Sequence, residues 1–380
     1  MTQVYLDYNA TAPVRPAAAQ AALEAMQAVG NPSSVHSAGR AAHARIEQAR
    51  ADVATLVGSH APSVTFVSGG AEANALAIDS AIATGARRLI VSAIEHATVL
   101  ETAKAAALTV EIMPVDAQGV ADLGWLAERL SRWDAADGAP FVALMLANNE
   151  TGVIQPIAQA AALVREAGGW LHADAVQAAG KIAIDFRELG ADTLSLSAHK
   201  LGGPQGVGAL VAGARSTISR RLHGGGQERG RRAGTQNVPG IAGFGAAASE
   251  ALQDLQAIAD RSTWRDTAER ALLEAGAVVF GERVDRLANT LCFAAPGYDA
   301  NLQVMSLDLA GVMVSAGAAC SSGKVTPSHV LAAMGAGDLA GCAIRASGGW
   351  ATCEQDWSRL AEAWIEANDR RTARRRASAA

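Results

Sequence analysis

Short apolar runs separated by alanine-rich stretches are the feature that most constrains the fold of this chain. The runs lie at 64–67, 88–94, 110–115, 141–146, 193–197 and 207–211. The alanine-rich stretches between them are typical of helices, so the alternation predicts an α/β sheet. The run FVALML at 141–146 is apolar throughout, as expected of a strand buried on both faces. The polar string LANNETG follows it, and we expect the functional site in such loops at the carboxyl ends of strands.

The chain has 380 residues, which is enough for one large domain or two. The chain has a helical pattern between about residues 240 and 280, which is followed by shorter apolar runs, and this change predicts a domain boundary near residue 255. We expect a large domain over 16–255 and a smaller one formed by 1–15 and 256–380. The basic stretch 370–380 has no apolar periodicity and is predicted to be an unanchored tail.

Charge and cysteine usage exclude several classes of protein. The 32 basic and 37 acidic residues leave a net charge of −5, which disfavours nucleic-acid binding. The 4 cysteines have no paired spacing, so they predict neither a disulfide framework nor a zinc site, and no metal is expected. A reducing, cytoplasmic location follows from this usage, and no segment predicts a signal peptide or a membrane span.

Lys200 lies three residues after the run at 193–197 and precedes a glycine-rich turn, close in sequence to Ser197 and His199. A lysine amine forms Schiff bases with carbonyl compounds, and neighbouring hydroxyl and imidazole groups can bind phosphate. The string therefore suggests a site for a phosphorylated aldehyde such as pyridoxal 5'-phosphate (PLP). A solvent-exposed lysine is the alternative.

Asp174 follows another short apolar run, in the string LHADAVQ, and Gln177 lies nearby. A carboxylate paired with a pyridine nitrogen keeps that nitrogen protonated, and an amide can bond the phenolic oxygen of the ring. Both residues suit PLP, although a helix cap explains Asp174 equally well.

Two further strings place candidate groups at strand ends. In FVSGGAEAN, a strand, a Gly-Gly turn and a helix would present the N–H groups of Gly70 and Ala71, and helix N-termini bind phosphate. In IEHATV, His96 could stack on a flat ring and transfer protons. The alternatives are a plain strand-to-helix turn and a structural histidine.

Two glycine-rich segments do not have the composition of an apolar core, because one is polar and the other consists largely of small residues. The segment 223–237 contains Thr235 and several arginines, which suit an anion from a neighbouring surface. The segment 314–326 surrounds Cys320 with small residues, and the nearby Lys324 would favour its thiolate. This setting predicts a thiol that can reach a substrate sulfur, in contrast to the apolar surroundings of Cys292.

Taken in order, these strings resemble the cysteine desulfurases of the NifS/IscS type, in the class V aminotransferase group of PLP enzymes. The likeness runs nearly from end to end and also includes YLDYNATAPV, NPSSVHSAGR, NNETGVIQP, HADAVQAAGK, HGGGQERGRRAGT and AIRASGG. It implies the α/β PLP-dependent transferase fold of type I. That fold has a large domain around a mainly parallel central sheet and a smaller α+β C-terminal domain.

The resemblance also assigns roles residue by residue. Lys200 would form the Schiff base and His96 would stack over the ring. Asp174 would contact the pyridine nitrogen and Gln177 the ring hydroxyl. The phosphate would be bound by Ser197, His199, Gly70 and Ala71, and by Thr235 from the second subunit. Asn149 would contact the cofactor and the substrate, and Arg345 would pair with the substrate carboxylate. Because Ala71 stands where many relatives have threonine, phosphate binding there would depend on backbone amides.

The activity implied by the resemblance is the conversion of L-cysteine to L-alanine, with the sulfur retained as a persulfide on Cys320. The persulfide would supply an acceptor protein, such as an iron–sulfur scaffold or a sulfur carrier, for iron–sulfur cluster assembly or tRNA thiolation. The role of Thr235 implies a homodimer with sites built across the interface.

Other functions are compatible with many of the same residues. A selenocysteine lyase, a cysteine-sulfinate desulfinase or another class V aminotransferase-like enzyme would keep PLP and change the substrate. A non-enzymatic binding protein on a degenerate PLP fold is another alternative. Such a protein would not need catalytic residues, so the presence of Lys200, Asp174 and His96 counts against it. A nucleic-acid module would rest on the arginines at 229–232 and 370–376, and salt-sensitive retention on DNA would support it.

Overall fold

The computed structural model of the protein describes residues 3–317 and 327–379. The strands in these ranges are β1 (Val4–Tyr5), β2 (Val64–Val67), β3 (Arg88–Ser92), β4 (Thr109–Met113), β5 (Phe141–Ala143), β6 (Trp170–Asp174), β7 (Thr193–Ser197), β8 (Gly208–Ala212), β9 (Val278–Val279), β10 (Thr290–Ala294), β11 (Val312–Met313), β12 (Ser315–Ala316) and β13 (Ala343–Ser347). The helices are α1 (Pro16–Gln27), α2 (Ser37–Leu56), α3 (Gly70–Ala83), α4 (Ala97–Ala105), α5 (Leu123–Ser131), α6 (Ile157–Glu166), α7 (Phe186–Leu189), α8 (Val238–Gln253), α9 (Leu255–Asp260), α10 (Ser262–Glu274), α11 (Ala300–Leu309), α12 (His329–Ala333) and α13 (Glu354–Ala379). None of these helices combines the length and the apolar composition needed to cross a membrane.

The central sheet has the strand order β2-β8-β7-β6-β5-β3-β4. Its neighbours pair in parallel from β7 to β4, whereas β8 runs antiparallel to both β2 and β7. Strands β5, β7 and β8 are buried along their whole length, and β5 and β8 accordingly have uninterrupted apolar sequences. The predicted α/β fold with a mainly parallel sheet is therefore confirmed.

The direction of the strands brings the candidate residues to one edge of this sheet. Strands β3, β5, β6 and β7 are parallel, and β2 has the same direction because two antiparallel pairings separate it from β7. The loops that follow these strands carry the predicted site residues and share the carboxyl edge of the sheet.

A second sheet, of order β12-β13-β10-β9, is antiparallel throughout. The N-terminal strand β1 pairs with β11, and Asp7 forms a bridge with Ser347 at the end of β13. The N-terminal segment thus leaves the second sheet and enters the carboxyl edge of the first. A separate apolar core supports the second sheet, with Phe293 packed edge-on against Trp364 at 5.5 Å between ring centroids. The position of the domain boundary near residue 255 stays a prediction.

Helix α8 begins at Val238, close to the start of the helical region predicted from about residue 240. The glycine-rich string VPGIAGFG has the composition of a loop, but its glycines let α8 approach its neighbours closely. A Cβ on Gly245 would come within 2.6 Å of Ala49 in α2, and one on Gly243 would come within 2.6 Å of Pro204. The missing side chains therefore serve packing between helices rather than flexibility.

The basic stretch 370–380, predicted to be an unanchored tail, is helical up to Ala379 as the end of α13. Arg370 forms an ion pair with Glu366 one turn earlier on the helix. The guanidinium of Arg371 lies 4.9 Å from the ring centroid of Tyr298 and donates to the carbonyl of Pro296. Arginines thus attach this turn of the helix where the sequence offers no apolar side chains.

A buried ion pair anchors the glycine-rich segment 223–237. Glu228 receives two hydrogen bonds from Arg50, at 2.7 and 3.0 Å, and a third from the backbone N–H of Phe66. Glu228 and Arg229 both have positive φ angles, 48° and 56°, which cost energy in residues other than glycine. Burial raises the pKa of Glu228, but the bonds and charge of Arg50 outweigh this and hold that pKa below its usual value. The ion pair therefore holds the segment in a backbone conformation that it would not adopt alone.

Removing one partner of this pair should destabilise the protein strongly. Arg50→Met leaves the Glu228 carboxylate buried without a cation, which costs about 3–5 kcal/mol. Urea unfolding of the variant and the wild type would measure the loss. The exposed pair of Lys104 and Glu101 provides the control, because Lys104→Met should change stability by less than about 1 kcal/mol. Equal effects of the two variants would contradict the prediction.

Candidate active site

Asp174, at the end of β6, is buried and held by two hydrogen-bond donors. The backbone N–H of Val176 donates to Oδ1 at 2.9 Å, and Asn74 Nδ2 donates to Oδ2 at 2.8 Å. No lysine or arginine in residues 3–317 and 327–379 forms an ion pair with it. The carboxylate therefore has a fixed orientation and an unmatched negative charge, which suits a cationic ligand group.

The orientation of Asn74 is set from the opposite side by His172. His172 Nε2 lies 3.0 Å from Asn74 Oδ1, and its Nδ1 lies 2.9 Å from the hydroxyl of Thr193. Burial lowers the pKa of His172 to about 4, so the ring is neutral near pH 7. Because the amide nitrogen of Asn74 is directed to Asp174, its oxygen accepts from His172 Nε2–H. A buried histidine thus orients the amide that orients Asp174.

His96 lies at the N-terminus of α4, close to the charges of Asp174 and Lys200. Its Nδ1 accepts from the backbone N–H of Thr98 at 3.2 Å and contacts the Thr98 hydroxyl at 2.9 Å. Burial lowers the pKa of His96, Asp174 opposes this shift, and Lys200 and His329 add to it. The neutral ring consequently carries its hydrogen on Nε2, the nitrogen turned away from the cap.

Lys200 and Gln177 meet at a single backbone oxygen. Lys200 Nζ donates to the carbonyl of Asn9 at 2.6 Å and to that of Ala10 at 2.8 Å. Gln177 Nε2 donates to the same Asn9 carbonyl at 3.0 Å. The N-terminal segment that carries Asn9 therefore forms one wall of the site, which sequence reasoning did not anticipate.

The start of α3 carries Gly70 and Ala71 and lies next to Ser197, three of the residues predicted to bind phosphate. This helix begins at Gly70 without a side-chain cap, so its first N–H groups are available to an anion. A Cβ on Gly70 would lie 2.8 Å from Val176 and 3.7 Å from Cβ of Ser197, so glycine keeps this space open. His199, two residues beyond Ser197, contacts the hydroxyl of Thr11 at 3.1 Å.

Arg345, in the middle of β13, is buried and positioned by two acceptors. It donates to the carbonyl of Asn149 at 3.0 Å and to Oδ1 of Asp7 at 2.7 Å. Its Nε is buried and has no partner within the described residues. A buried donor without an acceptor is costly, and a ligand carboxylate would satisfy it.

Two buried acids lie behind these residues. Burial raises the pKa of Glu95 well above its usual value, and the neighbouring charge of Asp174 raises it further. Burial also raises the pKa of Glu150 to about 7, and Glu150 accepts a hydrogen bond from Ser328. His329 contacts the carbonyl of Glu95 at 2.9 Å, so both acids help to attach the start of α12.

Two predicted residues are not part of this cluster in the described structure. Thr235 is exposed on the surface, where its predicted contact would be to a second subunit. Cys320 lies outside the described residues, in the range 318–326. Of the described cysteines, Cys292 and Cys342 are buried and Cys353 is exposed. Burial raises the pKa of Cys292, which makes it a poor nucleophile.

Several residues of the site were missed from sequence. Asp7 and Asn9 lie in YLDYNATAPV, and Lys181 ends HADAVQAAGK, so the strings that carry the resemblance contain them. Nothing in their spacing shows that they meet Arg345, Gln177 and Lys200. In the sequence, Asn74 and His172 have no feature that separates them from other helix and strand residues. Only their hydrogen bond to each other and the bond from Asn74 to Asp174 show that they orient the site. No group of metal-ligating side chains occurs in the described part of the chain.

Comparison with known proteins identifies the family to which the chain belongs. The model of the family "Aminotransferase class-V" matches residues 4–360. A cysteine desulfurase of Cereibacter sphaeroides is 44% identical over 345 residues, which cover 88% of this chain and 87% of the relative. The chain belongs to the class V aminotransferase family, and within it to the cysteine desulfurases.

Two further relatives extend the likeness over almost the whole chain. The cysteine desulfurase IscS of Dictyoglomus turgidum is 38% identical over 365 residues, covering 93% of this chain and 91% of its own length. The solved structure of a NifS-like protein from Rickettsia africae superposes with a TM-score of 0.88 at 33% identity, covering 97% of this chain and 99% of that protein. The predicted family and fold are thereby confirmed, and class V aminotransferases are PLP enzymes.

The raised pKa of Glu150 predicts a pH-dependent contribution to stability. A folded pKa of about 7 against a usual value of 4.5 favours the folded state by about 3 kcal/mol at low pH. This contribution is complete below pH 4.5 and is lost as the pH rises through about 7. Urea unfolding of the wild type and Glu150→Gln from pH 4.5 to 8 should show the wild type losing this amount relative to the variant.

The wild type must be compared with Glu150→Gln because buried histidines titrate in an overlapping pH range and also change the stability of the wild type. Their contribution has the opposite sign, since a lowered pKa stabilises the folded state at high pH, and it cancels in the difference. The exposed residue Glu362 provides a control, and Glu362→Gln should change stability by less than about 0.5 kcal/mol at every pH. A difference between wild type and Glu150→Gln that stays constant with pH would contradict the prediction.

Proposed function

We propose that this chain is a PLP-dependent cysteine desulfurase that converts L-cysteine to L-alanine and retains the sulfur as a persulfide on Cys320. The observation that carries the proposal is the meeting of Lys200, Asp174 and His96 at one sheet edge, in a chain that belongs to the cysteine desulfurases. The individual roles follow from the chemistry of each group.

The described residues fit the polar groups of PLP. The unmatched carboxylate of Asp174 suits a protonated pyridine nitrogen, and the open start of α3 at Gly70 suits a phosphate. Ser197 and His199 follow β7 directly and would add phosphate contacts, while Lys200 would attach the cofactor. When bound, PLP would take up the electrons released at the substrate α-carbon.

The protein would bind the substrate and move its protons. Arg345 has a buried N–H to offer to the substrate carboxylate, and Asn149 lies directly against it. Lys200 is an amine that can accept and return a proton. The neutral ring of His96 can donate a proton from Nε2.

The sulfur step balances without an added oxidant or reductant. The bond between Cβ and sulfur of the substrate breaks, a bond forms between that sulfur and Sγ of Cys320, and Cβ takes up a proton. One cysteine and one thiol thus give one alanine and one persulfide. The assignment of Cys320 rests on the sequence resemblance and on its small-residue setting.

We also propose that the enzyme is a homodimer and passes its sulfur to an acceptor protein. The exposed position of Thr235 is compatible with a contact to the phosphate bound by a second subunit. Exposed apolar side chains on α1 and in the loop after it support a covered surface there: Leu23, Met26, Val29 and Val35. The acceptor would be an iron–sulfur scaffold or a sulfur carrier, and the cysteine usage supports a cytoplasmic location.

An anaerobic assay with L-cysteine, PLP and a reductant tests the activity. Alanine and sulfide should form in equal amounts with the wild type, and Cys320→Ala should abolish both because it lacks the attacking thiolate. Cys353→Ala provides a matched control, since Cys353 is exposed but plays no part in the proposed mechanism. Full activity of Cys320→Ala in this assay would contradict the persulfide step. Turnover only with selenocysteine or cysteine sulfinate would identify the lyase or the desulfinase instead.

Removing the charge of Asp174 should separate cofactor binding from turnover. Asp174→Asn keeps the shape of the side chain but not the negative charge that holds the ring nitrogen protonated. We expect the visible absorption of bound PLP to persist and kcat to fall by about 10²-fold or more. A kcat within threefold of the wild-type value would contradict the assigned role.

A further inference from the structure

Lys181 is a buried lysine that the proposed mechanism does not use. It is 7% exposed, and its Nζ donates to Oδ1 of Asn9 at 2.7 Å and to Oε1 of Gln177 at 2.8 Å. Both acceptors are neutral amide oxygens, and no carboxylate in residues 3–317 and 327–379 forms an ion pair with it. Burying a lysine without a counter-ion is costly, so this placement calls for a physical reason.

The contacts of Lys181 match those of a neutral amine. Burial lowers the pKa of Lys181 well below its usual range, and the positive charges of Lys200 and Arg345 lower it further. A neutral amine has two hydrogens, and each of the two amide oxygens accepts one of them. The side chain therefore acts as a pair of directed hydrogen-bond donors.

These donors decide which way the amide of Gln177 points. The oxygen and nitrogen of a glutamine amide have nearly the same shape, so the neighbours determine its orientation. Lys181 donates a hydrogen bond to Oε1 of Gln177, so Nε2 of the same amide is directed to the opposite side. There Gln177 Nε2 donates to the Asn9 carbonyl, which also accepts from Lys200 Nζ.

We propose that Lys181 is a positioning residue that turns the Gln177 N–H groups towards Lys200 and the cofactor. The proposal rests on the proposed function, in which Lys200 holds PLP and Gln177 bonds its ring hydroxyl. A donor at that oxygen favours the ionised form and lowers the pKa of the bound cofactor. With the amide reversed, its oxygen would face the ring and this stabilisation would be lost.

A second role through Asn9 must be separated from this one. Lys181 bonds Asn9 Oδ1, and Thr290 accepts a hydrogen bond from Asn9 Nδ2 at 2.9 Å. Thr290 has no hydrogen bond to Gln177 among the contacts of the described residues. Thr290→Val therefore weakens the attachment of Asn9 and leaves the Gln177 amide as it is, which makes it a matched control.

The test is a pH titration of the visible absorption of the PLP-loaded protein. Lys181→Met keeps the length of the side chain and removes both donors, and it should raise the apparent pKa of the absorption change by about one unit. Thr290→Val should lower the thermal unfolding midpoint without shifting that pKa. In a Gln177→Leu background, Lys181→Met should produce no further shift, because the amide through which it acts is gone.

The outcomes separate the possible failures. An unshifted pKa in Lys181→Met, or an equal shift in Thr290→Val, overturns the inference. If Lys181→Met does not fold, Lys181→Leu takes its place, because it also removes both donors; a raised pKa supports the inference, and an unchanged one overturns it. A wild-type protein without a visible PLP band overturns the proposed function and this inference together. A normal wild-type band that the variant leaves unshifted overturns the inference alone.

Discussion

The hydrogen bonds of Asn9 join distant parts of the chain at the candidate active site. Its carbonyl accepts from Lys200 and Gln177, and its side chain donates to Thr290 and to the carbonyl of Asn149. A buried asparagine must satisfy every donor and acceptor it has, and here each partner comes from a different element. The site is consequently complete only when the N-terminal segment, the central sheet and the second sheet have come together.

The charges of the site are arranged so that Asp174 is the buried carboxylate available to a ligand. Burial raises the pKa of both Glu95 and Glu150, which favours their neutral forms. Burial also lowers the pKa of His96 and Lys181 and favours their neutral forms. A protonated pyridine nitrogen would then be the natural counter-ion of Asp174.

The apolar runs predicted the sheet well because burial on both faces leaves a clear pattern. The runs at 64–67 and 193–197 coincide with β2 and β7, whereas the run at 141–146 continues beyond β5. Its last residues still bond β6, since Leu144 donates to the carbonyl of His172 and Leu146 to that of Asp174. The close glycine contacts of α8 and the arginine contacts of the last helix were not predicted, because both depend on neighbours that no local pattern shows.

The sequence by itself determined the α/β fold, the family and the chemical types of the candidate residues, because each depends on strings of neighbouring residues. Lys200, Asp174 and His96 could be identified in this way, since each follows a recognisable apolar run. Only the tertiary structure decided how these groups are oriented. Asn74 reaches Asp174 and Lys181 reaches Gln177 through contacts whose geometry depends on the packed sheet and the returning N-terminal segment. A hydrogen bond is defined by distance and direction in space, and the order of residues along a chain contains neither.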